Sequence, residues 1–236
     1  MSWRTWAKVN RVKAATEIAD LRTRQGDDLQ LVRNRSLYER RLKRPFDLVF
    51  GSLALLVASP VMVALALAIR VRLGEGVMFR QERVGQNQEP FTIYKFRTMR
   101  PDRRRAHADV PRIQDRRSAH KTEQDPRHTA LGRLLRRLSL DELPQLINVL
   151  RGEMSLVGPR PELVDIADER GYLDHIRHEV KPGMTGPYQI SELRLSGDLR
   201  DGLHLDIRYA THLTFRNDMR YLLGTVTMLA DRGTGT

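Results

Sequence analysis

The chain has 236 residues, 40% of them hydrophobic, a formal net charge of +12 and a pI near 10.6, enough for one domain with a real core plus an appendage. With no cysteine, disulfide staples and thiolate metal sites are excluded and a cytosolic face is the natural home. A surface this basic seeks anions, which leaves nucleic acid, anionic lipid and phosphorylated substrates as partner classes.

Residues 1–42 form a basic N-terminal segment. It mixes charged and amide side chains with few apolar ones, lacks the apolar core of a signal peptide, and carries Trp3 and Trp6, residues suited to a membrane interface. Residues 43–72 hold the strongly apolar run, Phe46 to Ala68, long enough to cross a bilayer. Two features oppose a simple span. Ser59-Pro60 falls mid-run, where proline removes a backbone hydrogen bond and crowds the carbonyl of Leu56. Basic residues also flank both ends, with Arg40, Arg41, Lys43 and Arg44 before and Arg70 and Arg72 after, and such flanks prefer the cytoplasmic side. A re-entrant helix that breaks at Ser59-Pro60 and returns to the same leaflet satisfies both flanks. A kinked span and a buried soluble helix are the alternatives. Asp47 is costly near lipid unless Lys43 or Arg44 pairs with it.

Residues 73–236 read as an α+β domain, mainly helical, with a short β-hairpin. Val77 to Met99 predicts two strands around a turn at Gly85-Gln86-Asn87, with Phe91, Ile93 and Phe96 as core and Lys95 and Arg97 facing phosphates or lipid headgroups. Residues 101–125, with Arg103-Arg104-Arg105 and Arg116-Arg117, predict a polar surface loop toward anionic lipid; His107 and His120 lack metal-ligand spacing. Arg133, Arg136 and Arg137 then precede adjacent acids at Asp141 and Glu142. Leu143, Leu146, Ile147 and Leu150 form one face of a short helix that exits at Arg151-Gly152. Pro144 is tolerated only in the first turn, so Asp141 is expected at or beside the N-cap, where free N–H groups and the dipole keep it ionised. Gly158-Pro159-Arg160-Pro161 holds Arg160 in one direction. Carboxylates ringed by arginines suit a phosphoryl substrate whose charge must be screened before an anionic nucleophile approaches. Leu163 to Glu179 predicts a polar helix, Lys181 to Gly186 a tight turn, and Leu205 to Leu229 one or two amphipathic helices, packed on the domain or interfacial.

The stretch LGRLLRRLSLDELPQLINVLRGEMSLVGPRPE resembles the bacterial monotopic phosphoglycosyl transferases, which begin glycoconjugate assembly on polyprenyl phosphate. FRQERVG, YKFRTM, the pattern Lys43, Arg44, Asp47, Ser59, Pro60 and the run Pro182-Gly183-Met184-Thr185-Gly186 fit the same family. The resemblance implies a two-step transfer of sugar-1-phosphate from a UDP-sugar to polyprenyl (undecaprenyl) phosphate, with UMP released first. It implies Asp141 as nucleophile, Glu142 as partner acid in metal binding or proton removal, and the re-entrant membrane helix. Under it, Mg²⁺ is the expected ion, held by Asp141 and Glu142, while Arg136, Arg160, Arg97 and Lys95 are the phosphate-binding candidates. Thr185, Tyr188 and Gln189 are the donor-nucleotide candidates, Tyr188 by stacking on the uracil. At Gly186-Pro187-Tyr188-Gln189 the chain departs from many relatives, which place a hydrophobic residue and Trp there, so donor specificity transfers least. The implied setting is the cytoplasmic face of the inner (plasma) membrane, at the first membrane step of exopolysaccharide or other glycoconjugate synthesis. Partners are the UDP-sugar, polyprenyl phosphate and lipid, without nucleic acid; a homo-oligomer is left open. Two rival readings fall short: a nucleic-acid-binding protein leaves the apolar run unexplained, and a membrane scaffold leaves Asp141-Glu142 and Gly158 to Pro161 unexplained.

Overall fold

The computed structural model describes residues 35–100, 129–169, 173, 175–195 and 202–233. The polar stretch 101–125 and most of the basic N-terminal segment, Trp3 and Trp6 included, lie outside the described residues.

A π-helical turn at Tyr38–Leu42 leads into α1, a single 31-residue helix over Lys43–Leu73. Only 6% of its most apolar window is buried, so most of its apolar surface requires a nonaqueous neighbour. The break expected at Ser59-Pro60 does not divide it, for the helix is continuous through Pro60. Proline withholds the N–H that Leu56 O would otherwise accept, and Ser59 Oγ donates to that carbonyl instead at 2.8 Å.

Both ends of α1 rest on the same domain. Near its start, Phe46 joins the main core with Leu146, Val149, Val157 and Tyr209. Near its end, the fully buried Ile69 packs with Phe96 and Leu135 in a second cluster. Arg97 Nη2 then donates to Leu73 O at 2.7 Å and Gly74 O at 3.0 Å, filling carbonyls that the helix terminus leaves free.

Buried charge fixes the first end. Lys43 Nζ donates to Asp218 Oδ2 at 2.5 Å and Val157 O at 3.1 Å, and lies 3.8 Å from Asp47 Oδ1, the pairing expected from sequence. Asp218 also accepts from Tyr38 OH at 2.8 Å and Tyr209 OH at 2.9 Å, while Asp47 accepts from Ser155 Oγ at 2.9 Å and Leu156 N at 3.0 Å. The carboxylates are compensated by donors on every side, which is the condition for burying them.

Strands β1, Met78–Val84, and β2, Pro90–Phe96, form the expected antiparallel hairpin, paired from Met78 with Phe96 to Val84 with Pro90. Phe91, Ile93 and Phe96 are buried as expected. Next come α2, Ala130–Arg137, and a 3-10 turn, Leu140–Glu142, joined through Ser139 in the left-handed region at φ 56°. Helix α3, Gln145–Arg151, has Pro144 at its N-cap, so the acids stand on the turn before it and not at its cap. It stops at Gly152, whose φ of 86° suits glycine. Arg44 donates to the last carbonyls of α3, Val149 O at 2.6 Å and Leu150 O at 2.8 Å, tying α1 to it.

Asn148 of α3, fully buried, closes the outer edge of β2. Its Oδ1 accepts from Tyr94 N at 3.1 Å and its Nδ2 donates to Thr92 O at 2.7 Å, satisfying an otherwise open strand edge. Strand β3, Ser155–Val157, pairs in parallel with β4, Gly183–Thr185. A Cβ on Gly158 would overlap the Lys181 carbonyl oxygen, and one on Gly186 the Gly158 carbonyl, so the two glycine-bearing loops touch backbone to backbone.

The single polar helix expected over 163–179 is instead α4, Val164–Glu169, and a separate 3-10 turn, Ile176–Glu179. His175 is extended, and its Nδ1 accepts from Arg177 N, capping the second piece independently. After α5, Pro187–Ile190, the tail forms two helices, α6, Leu203–Thr211, and α7, Phe215–Gly233. Tyr209, Ala210 and Leu213 enter the core, and Met219, Tyr221 and Leu222 pack on it, whereas Phe215, Leu223 and Val226 stay exposed.

Candidate active site

Four pieces of chain converge on the Asp141-Glu142 turn. Arg83 comes from β1, Lys95 from β2, Gln145 from α3 and Arg160 from the Gly-Pro-Arg-Pro loop, around a cleft that Met184 and Gln189 close. Its free volume is about 10 Å³, room for roughly one water.

Lys95 Nζ lies 2.6 Å from Glu142 Oε1. Since Asn148 docks the backbone just before Lys95, at Thr92 and Tyr94, the strand delivers this lysine to Glu142 in fixed register. The two neighbouring acids end up far apart in strength. Burial opposes the charge on Glu142, yet Lys95, Arg160 and Arg83 together hold its carboxyl down to about 2. For Asp141, burial and the adjacent Glu142 charge outweigh Lys95 and Arg136, and its carboxyl is pushed up to about 6. The expected position at the α3 N-cap is thus corrected: the turn places Asp141 before that cap and beside a like charge.

Of the other expected phosphate ligands, Arg160 is exposed over the cleft and Arg136 lies close enough to act on Asp141. Arg97 is engaged elsewhere, on the end of α1. Among the nucleotide candidates, Gln189 lines the cleft; its Nε2 donates to Gly183 O at 3.3 Å and its buried Oε1 has no hydrogen-bond donor. Thr185 Oγ1 is hydrogen-bonded to Thr225 Oγ1 of α7. Tyr188 is buried, its ring filling the space that a Cβ on Gly202 would need, which leaves no open ring face for a base.

Arg83, Gln145, Asn148 and Arg177 were not singled out from sequence. Arg177 is fully buried, pairs with Asp206 at 2.8 Å, and donates through Nη2 to the carbonyl of Arg160 at 2.7 Å, so it positions the loop that carries the exposed arginine. In the sequence it is one more basic residue in a polar run, whereas Arg83 lies inside FRQERVG and Gln145 and Asn148 inside the long stretch around Asp141.

Among the described residues no three His, Asp or Glu side chains converge as a metal cage, and Asp141 with Glu142 are the adjacent acids at the cleft. Two adjacent carboxylates supply the hard oxygen donors that a divalent cation takes.

The family model for bacterial sugar transferases matches residues 38–232. Relatives include the UDP-glucose:undecaprenyl-phosphate glucose-1-phosphate transferase of Escherichia coli strain K12, 38% identical over 196 residues, which are 79% of this chain and 40% of that protein. The undecaprenyl-phosphate galactose phosphotransferase of Salmonella typhimurium is 38% identical over 201 residues, 82% of this chain and 41% of that protein. The exopolysaccharide production protein PSS of Rhizobium leguminosarum bv. phaseoli is 38% identical over 204 residues, 82% of this chain and 98% of its own length. The chain therefore spans about four-tenths of the first two relatives and nearly all of the third. Because the matched region contains α1, the hairpin, the acid turn and both tail helices, the chain belongs to the bacterial sugar transferase family.

Proposed function

We propose that the chain transfers a sugar-1-phosphate from a UDP-sugar to undecaprenyl phosphate through a covalent phospho-sugar on Asp141. The observation that carries this is the gathering of Lys95, Arg83 and Arg160 around Glu142 in one cleft beside Asp141, with Lys95 Nζ 2.6 Å from Glu142 Oε1. An Asp141 oxygen forms a bond to the β-phosphorus of the donor, and the bond from that phosphorus to the bridging oxygen breaks, releasing UMP. An oxygen of undecaprenyl phosphate then attacks the same phosphorus, freeing the Asp141 carboxylate and leaving a diphosphate-linked sugar. A carboxyl raised to about 6 is still mostly ionised at neutral pH and more nucleophilic than an ordinary one. Glu142, held near 2 and bonded to Lys95, is a poor proton acceptor, so it serves as an anionic anchor and not as a base.

Arg160 and Arg136, with Lys95 and Arg83, oppose the donor phosphate charge that otherwise repels the carboxylate. Asp141 and Glu142 are the residues that would hold Mg²⁺, which when bound screens the phosphates and polarises phosphorus. Gln189 Oε1, buried and without a donor, is placed to accept from the nucleotide.

The re-entrant placement of α1 belongs to the same reading. A helix that crossed the bilayer would carry its two ends to opposite faces, about 30 Å apart, yet Phe46 and Ile69 both pack on one domain. The basic flanks favour the cytoplasmic side of the inner membrane for that domain, at the level where a soluble donor meets a lipid-borne acceptor.

The test is UMP release by detergent-extracted enzyme with Mg²⁺ and undecaprenyl phosphate, across a panel of UDP-sugars. Relatives named for glucose and for galactose are equally identical to this chain, so the panel must hold both. Release with one donor, abolished in Asp141→Asn, is the expected result. No release from any donor by folded enzyme contradicts the proposal.

A further inference from the structure

A second cavity, of about 220 Å³, opens where α1 begins, away from the Asp141 cleft. Five cations, Arg35, Arg40, Lys43, Arg44 and Lys181, line it against two acids, Glu39 and Asp47. Much of that charge is already answered. Lys43 is bonded to Asp218, Arg44 to two α3 carbonyls, and Arg35 lies 4.0 Å from Glu39. Lys181 and Arg40 are not: among the described residues no carboxylate forms an ion pair with either.

Lys181 and Arg44 both line the cavity and lie close together, since a Cβ on Gly152 would lie 3.5 Å from Lys181 Nζ and 3.3 Å from Arg44 Nη2. Half-buried, Lys181 has its ammonium pushed down by burial and by Arg44, with Asp47 opposing and Lys43 adding to the shift. An anion seated there relieves this crowding of like charge. A cavity this size holds several waters and so has space for a phosphate group.

The surroundings specify the rest of the ligand. The turn that lines the cavity exposes Leu37 and Leu42, Phe215 stands 5.7 Å from Tyr38, and the exposed apolar face of α1 begins at Leu48. A free phosphate has no use for that apolar rim, whereas a phospholipid lays its chains along it. We infer that this cavity binds the phosphate headgroup of an anionic phospholipid from the leaflet that holds α1, at a site separate from the substrate cleft. The bound lipid fixes the start of α1 against β3 and the loop before β4, and hence the height of the domain above the headgroups.

Calorimetric titration of the full chain in neutral detergent tests this without reference to catalysis, so its failure is distinguishable from failure of the transfer proposal. The probes are dihexanoyl-phosphatidylglycerol, dihexanoyl-phosphatidylcholine and inorganic phosphate. Phosphatidylglycerol is expected to bind saturably at one per chain, with Lys181→Gln and Arg40→Gln each weakening it about fivefold. Lys181→Arg, which keeps the charge, is expected to retain affinity and separates loss of charge from loss of fold. Arg72→Gln, the same charge removed at the far end of α1, is expected to change nothing. Binding of phosphatidylcholine or inorganic phosphate as tight as phosphatidylglycerol, or equal weakening by Arg72→Gln, overturns the inference. So does undiminished binding by the Lys181→Gln, Arg40→Gln double variant.

Discussion

Two clusters of buried charge lie in this molecule, and they are built on opposite rules. At the start of α1, Asp47 and Asp218 accept from Lys43, Tyr38, Tyr209, Ser155 and the Leu156 amide. At the Asp141-Glu142 turn one acid is bonded to Lys95 while its neighbour is pushed up to about 6. The first cluster spends its charge on holding a helix. The second leaves Asp141 without a side-chain donor among the described residues and beside the like charge of Glu142, an arrangement that suits a nucleophile. Compensated clusters are architecture and undercompensated ones are chemistry, and substitutions on the two sides should separate accordingly.

The largest effect is expected from Asp141→Asn. Loss of the attacking oxygen should lower UMP release by more than about 10⁴-fold, while the melting midpoint stays within a degree or two or rises, because a like charge beside Glu142 is gone. A large fall in stability would place Asp141 with the architectural cluster. Lys43→Met should do the reverse. It leaves two acids buried without their cation, at a cost of about 3–5 kcal/mol, read as a lowered denaturation midpoint in detergent. Next, Lys95→Met frees Glu142 from its partner and should reduce the transfer rate by about a hundredfold with little loss of fold, since Asn148 still holds β2.

The pH dependence sharpens the contrast further. Asp141 must lose its proton to bind a cation, so apparent Mg²⁺ affinity should weaken about tenfold per unit as pH falls below about 6 and stay level above it. Affinity that is flat down to pH 4 would mean that Asp141 is held ionised by its cations as Glu142 is. The smallest effect is expected from Ser59→Ala, which leaves Leu56 O without its substitute donor at 2.8 Å and should cost about 1 kcal/mol.

Much of this was legible in the chain because it is local. The hairpin and its core residues follow from alternation and a glycine turn, the tail helices from helical spacing, and the pairing of Asp47 with Lys43 from four-residue proximity. The Asp141-Glu142 turn was legible as chemistry but not as geometry. Pro144 does limit α3, yet the left-handed Ser139 inserts a 3-10 turn that no periodicity announces. What stayed hidden is long-range. Asp218 stands 175 residues from Lys43, and Arg177 reaches Arg160 and Asp206 only once the loops are folded. Arg97 and Tyr188 looked like ligands by type and proved to be a helix cap and a buried ring, because a residue's type does not say which way it points.

The central claim is that Asp141 forms a bond to the sugar phosphate. Enzyme mixed with Mg²⁺ and its UDP-sugar, without acceptor, and quenched in acid should carry a hexose-phosphate mass on the peptide that contains Asp141, which undecaprenyl phosphate added before the quench removes. An adduct on any other residue, or UMP release with no adduct at the earliest quench times, contradicts it.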